Sequence, residues 1–286
     1  MANGRYFVAP PSPWPVVTAL GLALLLAGFG LLLHGGSLVP SILGAIVLLL
    51  AVQRWFAAVI RENQAGLYDA QVNRSFRLGM AWFIFSEVML FGALFGALFY
   101  VRELAVPWLG GEGAKGAAHL LWPHFVNHWP LLEMPRSSDF DVPNAAMGPV
   151  GIPAINTAVL LSSALTVTLA HWGLKRKARR ALAGWLLVTI LLGVTFVVLQ
   201  LHEYAHAYRE LGLTLHSGIY GSTFYLLTGF HGLHVSLGVI MLSVILGRAL
   251  KGHFTPTEHF GFEAVSWYWH FVDVIWLGLY LFVYWW

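Results

Sequence analysis

Seven apolar runs, at 16–33, 38–60, 78–101, 150–174, 181–201, 215–247 and 264–286, account for most of the chain. A run of about 18 residues or more reads as a membrane-spanning helix. In lipid it has to be helical, because only a helix or a closed barrel satisfies every backbone N–H and C=O without water. The expected architecture is therefore an all-α integral membrane protein. Its helices are expected at about 16–34, 38–60, 76–104, 150–174, 178–208, 215–249 and 260–286, in one domain over 1–286. A Gly-, Pro- and Trp-rich insert at about 105–149 separates the third helix from the fourth.

Composition agrees with this reading. Hydrophobic residues make up 58% of the chain and charged residues 10%, whereas soluble domains carry about 25% charge. The net charge of +3 is no signature of nucleic-acid binding. With no cysteine, thiolate chemistry, disulfides and Cys-ligated clusters are excluded. The chain opens on a polar stretch with Pro10, Pro11, Pro13 and Pro15, and no Arg-rich amphipathic leader precedes the first run.

Basic residues give the runs a direction. If the N-terminus lies inside, Arg5, Arg54, Arg61, Arg74, Arg77, Lys175, Arg176, Lys177, Arg179, Arg180, Arg248 and Lys251 all fall on the inner side. Arg102, Lys115, Arg136 and Arg209 fall outside. That asymmetry is the positive-inside pattern. It fits seven spans with the N-terminus cytoplasmic, the C-terminus periplasmic and the insert outside.

Several ionisable groups invite a chemical reading. Glu87 lies about 4 Å from the centre of the third run at about 1.5 Å rise per residue. A carboxylate there costs about 2.5–3.5 kcal/mol on insertion scales, so it is either protonated or partnered. In the seventh run Glu263, Trp267, His270 and Asp273 or Val274 recur at helical spacing. The expected face points into the bundle as a hydrogen-bonded network. His231 and His234, spaced i, i+3, read as buried histidines of that network. Together with His171 and His270 they could alternatively ligate a haem. His202-Glu203-Tyr204-Ala205-His206 matches the zinc-peptidase pattern H-E-x-x-H, but no third ligand stands at a recognisable spacing.

These residues, taken in order, resemble the subunit III family of the haem-copper oxidases. The matching blocks are Pro11-Ser12-Pro13-Trp14-Pro15, Arg61-Glu62, Phe83-Ile84-Phe85-Ser86-Glu87-Val88, Asn156-Thr157, Ala170-His171 and Glu203-Tyr204. They continue with Gly218-Ile219-Tyr220-Gly221-Ser222-Thr223-Phe224 and Thr228 to Val235. They end with His259-Phe260-Gly261-Phe262-Glu263-Ala264 and Trp267-Tyr268-Trp269-His270-Phe271-Val272-Asp273-Val274. Glu203-Tyr204 falls on the family's own motif, which sets the peptidase reading aside.

The resemblance implies two bundles, of two and five helices, separated by a V-shaped cleft that holds phospholipid. It implies a chain with no catalytic residue and no metal of its own, haem a and copper being carried by partner subunits. Subunit I would be the main partner, with subunit II and small subunits beside it and cytochrome c as electron donor to the complex. The family's role is to hold lipid, support proton uptake and protect subunit I from turnover inactivation. Lipid contacts would fall to Arg61, Glu62, Arg248 and His253, and Glu87 would face the cleft. Where the family usually has Gly-x-His-Thr, this chain has Gly66-Leu67-Tyr68-Asp69, so that His contact is missing. The insert is expected to form an ordered cap against subunit II or over subunit I. Chain length, the insert and the absent leader point to a bacterial inner membrane. Two other functions stay open on the residues alone: an independent proton channel or transporter using Glu87 and Asp273, and a haem protein using His171, His231, His234 and His270.

Overall fold

A computed structural model describes residues 11–113 and 116–286. Arg5 and Lys115 of the charge pattern, and Pro10, lie outside the described residues. Among the described residues seven long helices follow one another: α1 (Trp14–Leu33), α2 (Val39–Gln64), α3 (Ala70–Tyr100), α4 (Ile152–Lys175), α5 (Arg179–Arg209), α6 (Gly218–Leu250) and α7 (Phe260–Leu279). No strand occurs among the described residues. Helix α3 continues through a π turn, Val101–Ala105, to Leu109, and α7 ends in a π segment, Tyr280–Trp285. Among the described residues six helices, α1 to α6, are long and apolar enough to cross a membrane. Helix α7 is not among these six.

The chain divides into two compact units within α3, at Gly79 and Met80. In the first unit α1 packs on α2, and small residues make the approach close. A Cβ on Gly28 would lie 2.4 Å from the Ser41 amide nitrogen, and one on Gly44 would lie 2.3 Å from that of Leu25. Without an aqueous hydrophobic drive between helices, such close backbone packing is what holds them together. Most of the leucines on these helices point outward, Leu20 and Leu49 being 64% and 70% exposed. Lipid tails can cover such a surface, as water cannot without a penalty.

The second unit is built around aromatic side chains of α7. Trp269 is fully buried, and its indole N–H donates to Ser163 Oγ of α4 at 2.9 Å. Gly193 of α5 and Gly238 of α6 leave the space its ring fills, since a Cβ on either would stand 2.7 Å from an indole carbon. Trp276 donates likewise to Thr157 Oγ1 at 2.9 Å and packs edge-on against Phe196. A tryptophan buried in this way needs an acceptor for its one donor, and α4 supplies both.

The segment between α3 and α4 begins at Gly110, later than the expected insert, because α3 runs on to Leu109. Short helices at Ala118–Leu121 and Ser137–Asp139 interrupt it. Its second half is tied to the loop between α5 and α6. The Asn144 amide donates to Leu211 O at 2.8 Å, the Asp141 amide to His216 O at 3.1 Å, and Thr214 Oγ1 to Asp141 Oδ2 at 2.9 Å.

Candidate functional site

Glu87 finds a partner within its own unit. Its Oε2 lies 2.9 Å from His234 Nε2, with side-chain exposures of 18% and 10%. The other ring nitrogen, Nδ1, stands 2.6 Å from Phe230 O. A carbonyl only accepts, so Nδ1 carries a proton and donates it. The contact between Nε2 and Oε2 must then contain one proton. Either the carboxylic acid donates to a neutral imidazole, or an imidazolium donates to a carboxylate. Phe91 and Tyr268 flank the imidazole, at 5.1 and 6.3 Å between ring centroids. Sequence spacing could not find this pair, because its members are 147 residues apart.

The remaining polar residues separate into distinct sites. His231 is fully buried between Phe196 and Trp276 and directs Nε2 to Val272 O at 3.2 Å. Asp273 is 5% exposed, with Oδ2 3.5 Å from His270 Nδ1. His270 is also 3.5 Å from Thr168 Oγ1. The expected inward stripe of α7 is corrected by these positions. Trp267 is 37% and Val274 66% exposed, and the His270 side chain is 42% exposed. The face that packs inward carries Phe262, Trp269, Val272 and Trp276. Both faces repeat at the helical period, and the larger apolar one takes the interior. Only Asp273, at the stripe's edge, and Glu263 are drawn in.

Glu203, fully buried, accepts a hydrogen bond from Tyr284 at 2.6 Å. His206 pairs with Glu210 at 3.1 Å. Glu203 and His206 of the H-E-x-x-H pattern thus have separate partners. A different group does converge: His171 of α4 with His259 and Glu263 at the start of α7. His171 Nε2 stands 3.3 Å from His259 Nε2, which is 3.1 Å from Glu263 Oε1.

The four residues implied in lipid contact belong to two regions. In the first unit Arg61 is exposed and donates to Ala57 O at 3.2 Å. Glu62 Oε2 accepts from Tyr68 at 2.7 Å, so the residue that departs from the family pattern has become a hydrogen-bond partner of its acid. Burial, then the hydrogen bond to Glu62 and its charge, push the Tyr68 phenol well above 10.0. The next residue, Asp69, accepts from the Val72 amide at 2.8 Å and caps α3.

In the second unit Arg248 lies over the Phe254 ring at 4.6 Å. Its buried Nε has no hydrogen-bond partner among the described residues. The His253 amide donates to Arg248 O at 3.1 Å. Partial burial, then the charges of Arg248 and Lys251, lower the pKa of His253.

A family model described as cytochrome c oxidase subunit III matches residues 4–126 and 138–286. It leaves out 127–137, a stretch of the segment between α3 and α4. The chain is similar to the cytochrome c oxidase subunit 3 of Loxodonta africana, with 41% identity over 98% of this chain and 97% of the relative. Similarity to the same subunit of Formosania lacustris is 41%, and to that of Papio hamadryas 40%, over equal shares of both chains.

Proposed function

Because the chain belongs to the cytochrome c oxidase subunit III family, we propose that it is the non-redox, lipid-holding subunit of a proton-pumping terminal oxidase. In this reading all seven long helices span the membrane, with the N-terminus cytoplasmic. Subunit I is its main neighbour and carries haem a and copper with subunit II. Cytochrome c supplies electrons to the complex, and the host is a bacterium with the complex in its inner membrane.

The observation that carries the lipid role is Arg248. A buried guanidinium N–H with no acceptor among the described residues is costly unless an anion meets it. A phospholipid phosphate is the anion available at a membrane boundary, and Arg binds it with charge-assisted hydrogen bonds. His253 is read as a second headgroup contact beside Arg248, and Arg61 and Glu62 as headgroup contacts of the first unit. Glu87, held by His234, would keep a protonatable group within the apolar unit without a net charge exposed to lipid. The outward stripe of α7, with Trp267 and His270, suits protein contact with a neighbouring subunit better than lipid contact.

The test is to purify the oxidase with and without this chain. Initial oxygen reduction should be nearly unchanged, and the number of turnovers before inactivation should fall. Equal catalytic lifetimes would reject the protective role. Lipid mass spectrometry on Arg61→Ala with Arg248→Ala should show less retained phospholipid, and unaltered lipid content would remove lipid binding from both residues.

A further inference from the structure

We propose that His171, His259 and Glu263 form a binding site for a divalent cation of zinc type, joining the end of α4 to the start of α7. Their three ligand atoms all lie within 4.8 Å of one another. Tetrahedral zinc with bonds of about 2.0–2.1 Å sets ligand atoms about 3.3 Å apart. The observed separations are 3.3 Å from His171 Nε2 to His259 Nε2 and 3.1 Å from His259 Nε2 to Glu263 Oε1. A turn of the Glu263 carboxylate, the most flexible of the three side chains, closes the remaining edge.

The hydrogen bonding around His259 gives the second argument. Its Nδ1 stands 3.0 Å from Thr255 O, and since a carbonyl only accepts, Nδ1 is the donor. In the neutral ring Nε2 is then left with a lone pair. That lone pair faces a carboxylate oxygen and a second imidazole nitrogen. Three electron-rich atoms converge, an arrangement that a proton or a metal ion between them stabilises. Metal-binding histidines are commonly oriented by this kind of bond from the other ring nitrogen to a carbonyl. His259 is only 7% exposed, and Phe262 packs 5.3 Å from the His171 ring, so the geometry is held from behind. Two imidazoles and a carboxylate favour zinc over the harder, all-oxygen cations. Three protein ligands leave a fourth position for water. The Lys175 ammonium, one turn beyond His171 on α4, acts on that ring and opposes a cation.

The experiment uses the intact membrane complex, isolated through a tag on this chain, stripped with a chelator, reloaded with Zn²⁺ and passed through zinc-free buffer. Retained zinc is counted per chain for the wild type, Glu263→Gln, His171→Gln and Lys175→Gln. Loss of one equivalent in the first two variants, with retention in Lys175→Gln, is expected. Equal zinc in the wild type, Glu263→Gln and His171→Gln would overturn the site. If those variants fail to assemble, the wild type decides alone. Anomalous scattering at the zinc edge should place a peak among the three ligand atoms, and its absence after reloading would show that a proton holds the cluster together.

Discussion

His234 Nε2 lies 2.9 Å from Glu87 Oε2 while His234 Nδ1 donates to Phe230 O, so the pair retains one shared proton. A carboxyl near the middle of a membrane helix is thereby satisfied from inside its own subunit. Glu87→Gln can preserve the contact, since its amide donates to Nε2. Glu87→Leu cannot, and it leaves the imidazole acceptor buried without a donor. The expected cost is about 1–3 kcal/mol for Leu and much less for Gln. Thermal unfolding of the purified complex, followed through release of this chain, should rank wild type and Gln close together with Leu clearly lower. Equal loss in both variants would mean that the hydrogen bond is not what the site needs.

Trp269 occupies a slot whose walls are Gly193 and Gly238. Gly238→Val forces methyl groups into the indole, and overpacking of this kind costs about 1–3 kcal/mol. Trp269→Phe keeps most of the ring but leaves Ser163 without its donor. Both should lower the melting temperature of the subunit, and Ser163→Ala combined with Trp269→Phe should cost less than the sum of the two changes. Additive effects would show that the Ser163 bond contributes nothing separable.

Much of the helical framework was readable because a span of apolar residues has no alternative to helix in lipid. Polar extensions were harder to read. Helix α3 starts at Ala70, well before its apolar run, because Asp69 caps it and Gln71, Asn73 and Arg74 can face away from lipid. Periodicity placed Glu263, Trp267 and His270 on one face of α7 but could not say which way it turns. That depended on Trp269 finding room at two glycines on other helices. The partners of Glu87 and His171 were hidden for the same reason, since one lies on α6, 147 residues along the chain, and the other at the N-cap position of α7, 88 residues along. The family resemblance named Glu87 and Arg248 but gave neither its protein neighbours. It also marked Tyr68 only as a departure, without the bond that Tyr68 makes to Glu62.

Close contact between α1 and α2 rests on Gly28 and Gly44, each facing backbone of the opposite helix. Backbone cannot move aside as a side chain can, so Gly44→Val has to push the helices apart. The first unit should loosen while the second keeps its Trp269 packing. Limited proteolysis in detergent should then cut near residues 34–38 faster than in the wild type, with the rate at the α5–α6 loop unchanged. Accelerated cleavage at both places would mean that the damage is global.

Tyr68 provides a pH prediction with a definite sign. Its phenol is raised above 10.0 by burial and by Glu62, which accepts a hydrogen bond from it at 2.7 Å. A raised value in the folded state favours the protonated form, so its stabilising contribution is complete below the unfolded value of about 10. That contribution is lost as pH climbs through the folded value. The difference in ultraviolet phenolate absorbance between wild type and Tyr68→Phe should therefore stay near zero at the pH where an exposed tyrosine is half ionised, and should appear only at higher pH. With Glu62→Gln the carboxylate charge is gone, and the Tyr68 signal should move back toward the ordinary range. Phenolate from Tyr68 at the ordinary pH in the wild type would show that the Glu62 bond does not persist in solution.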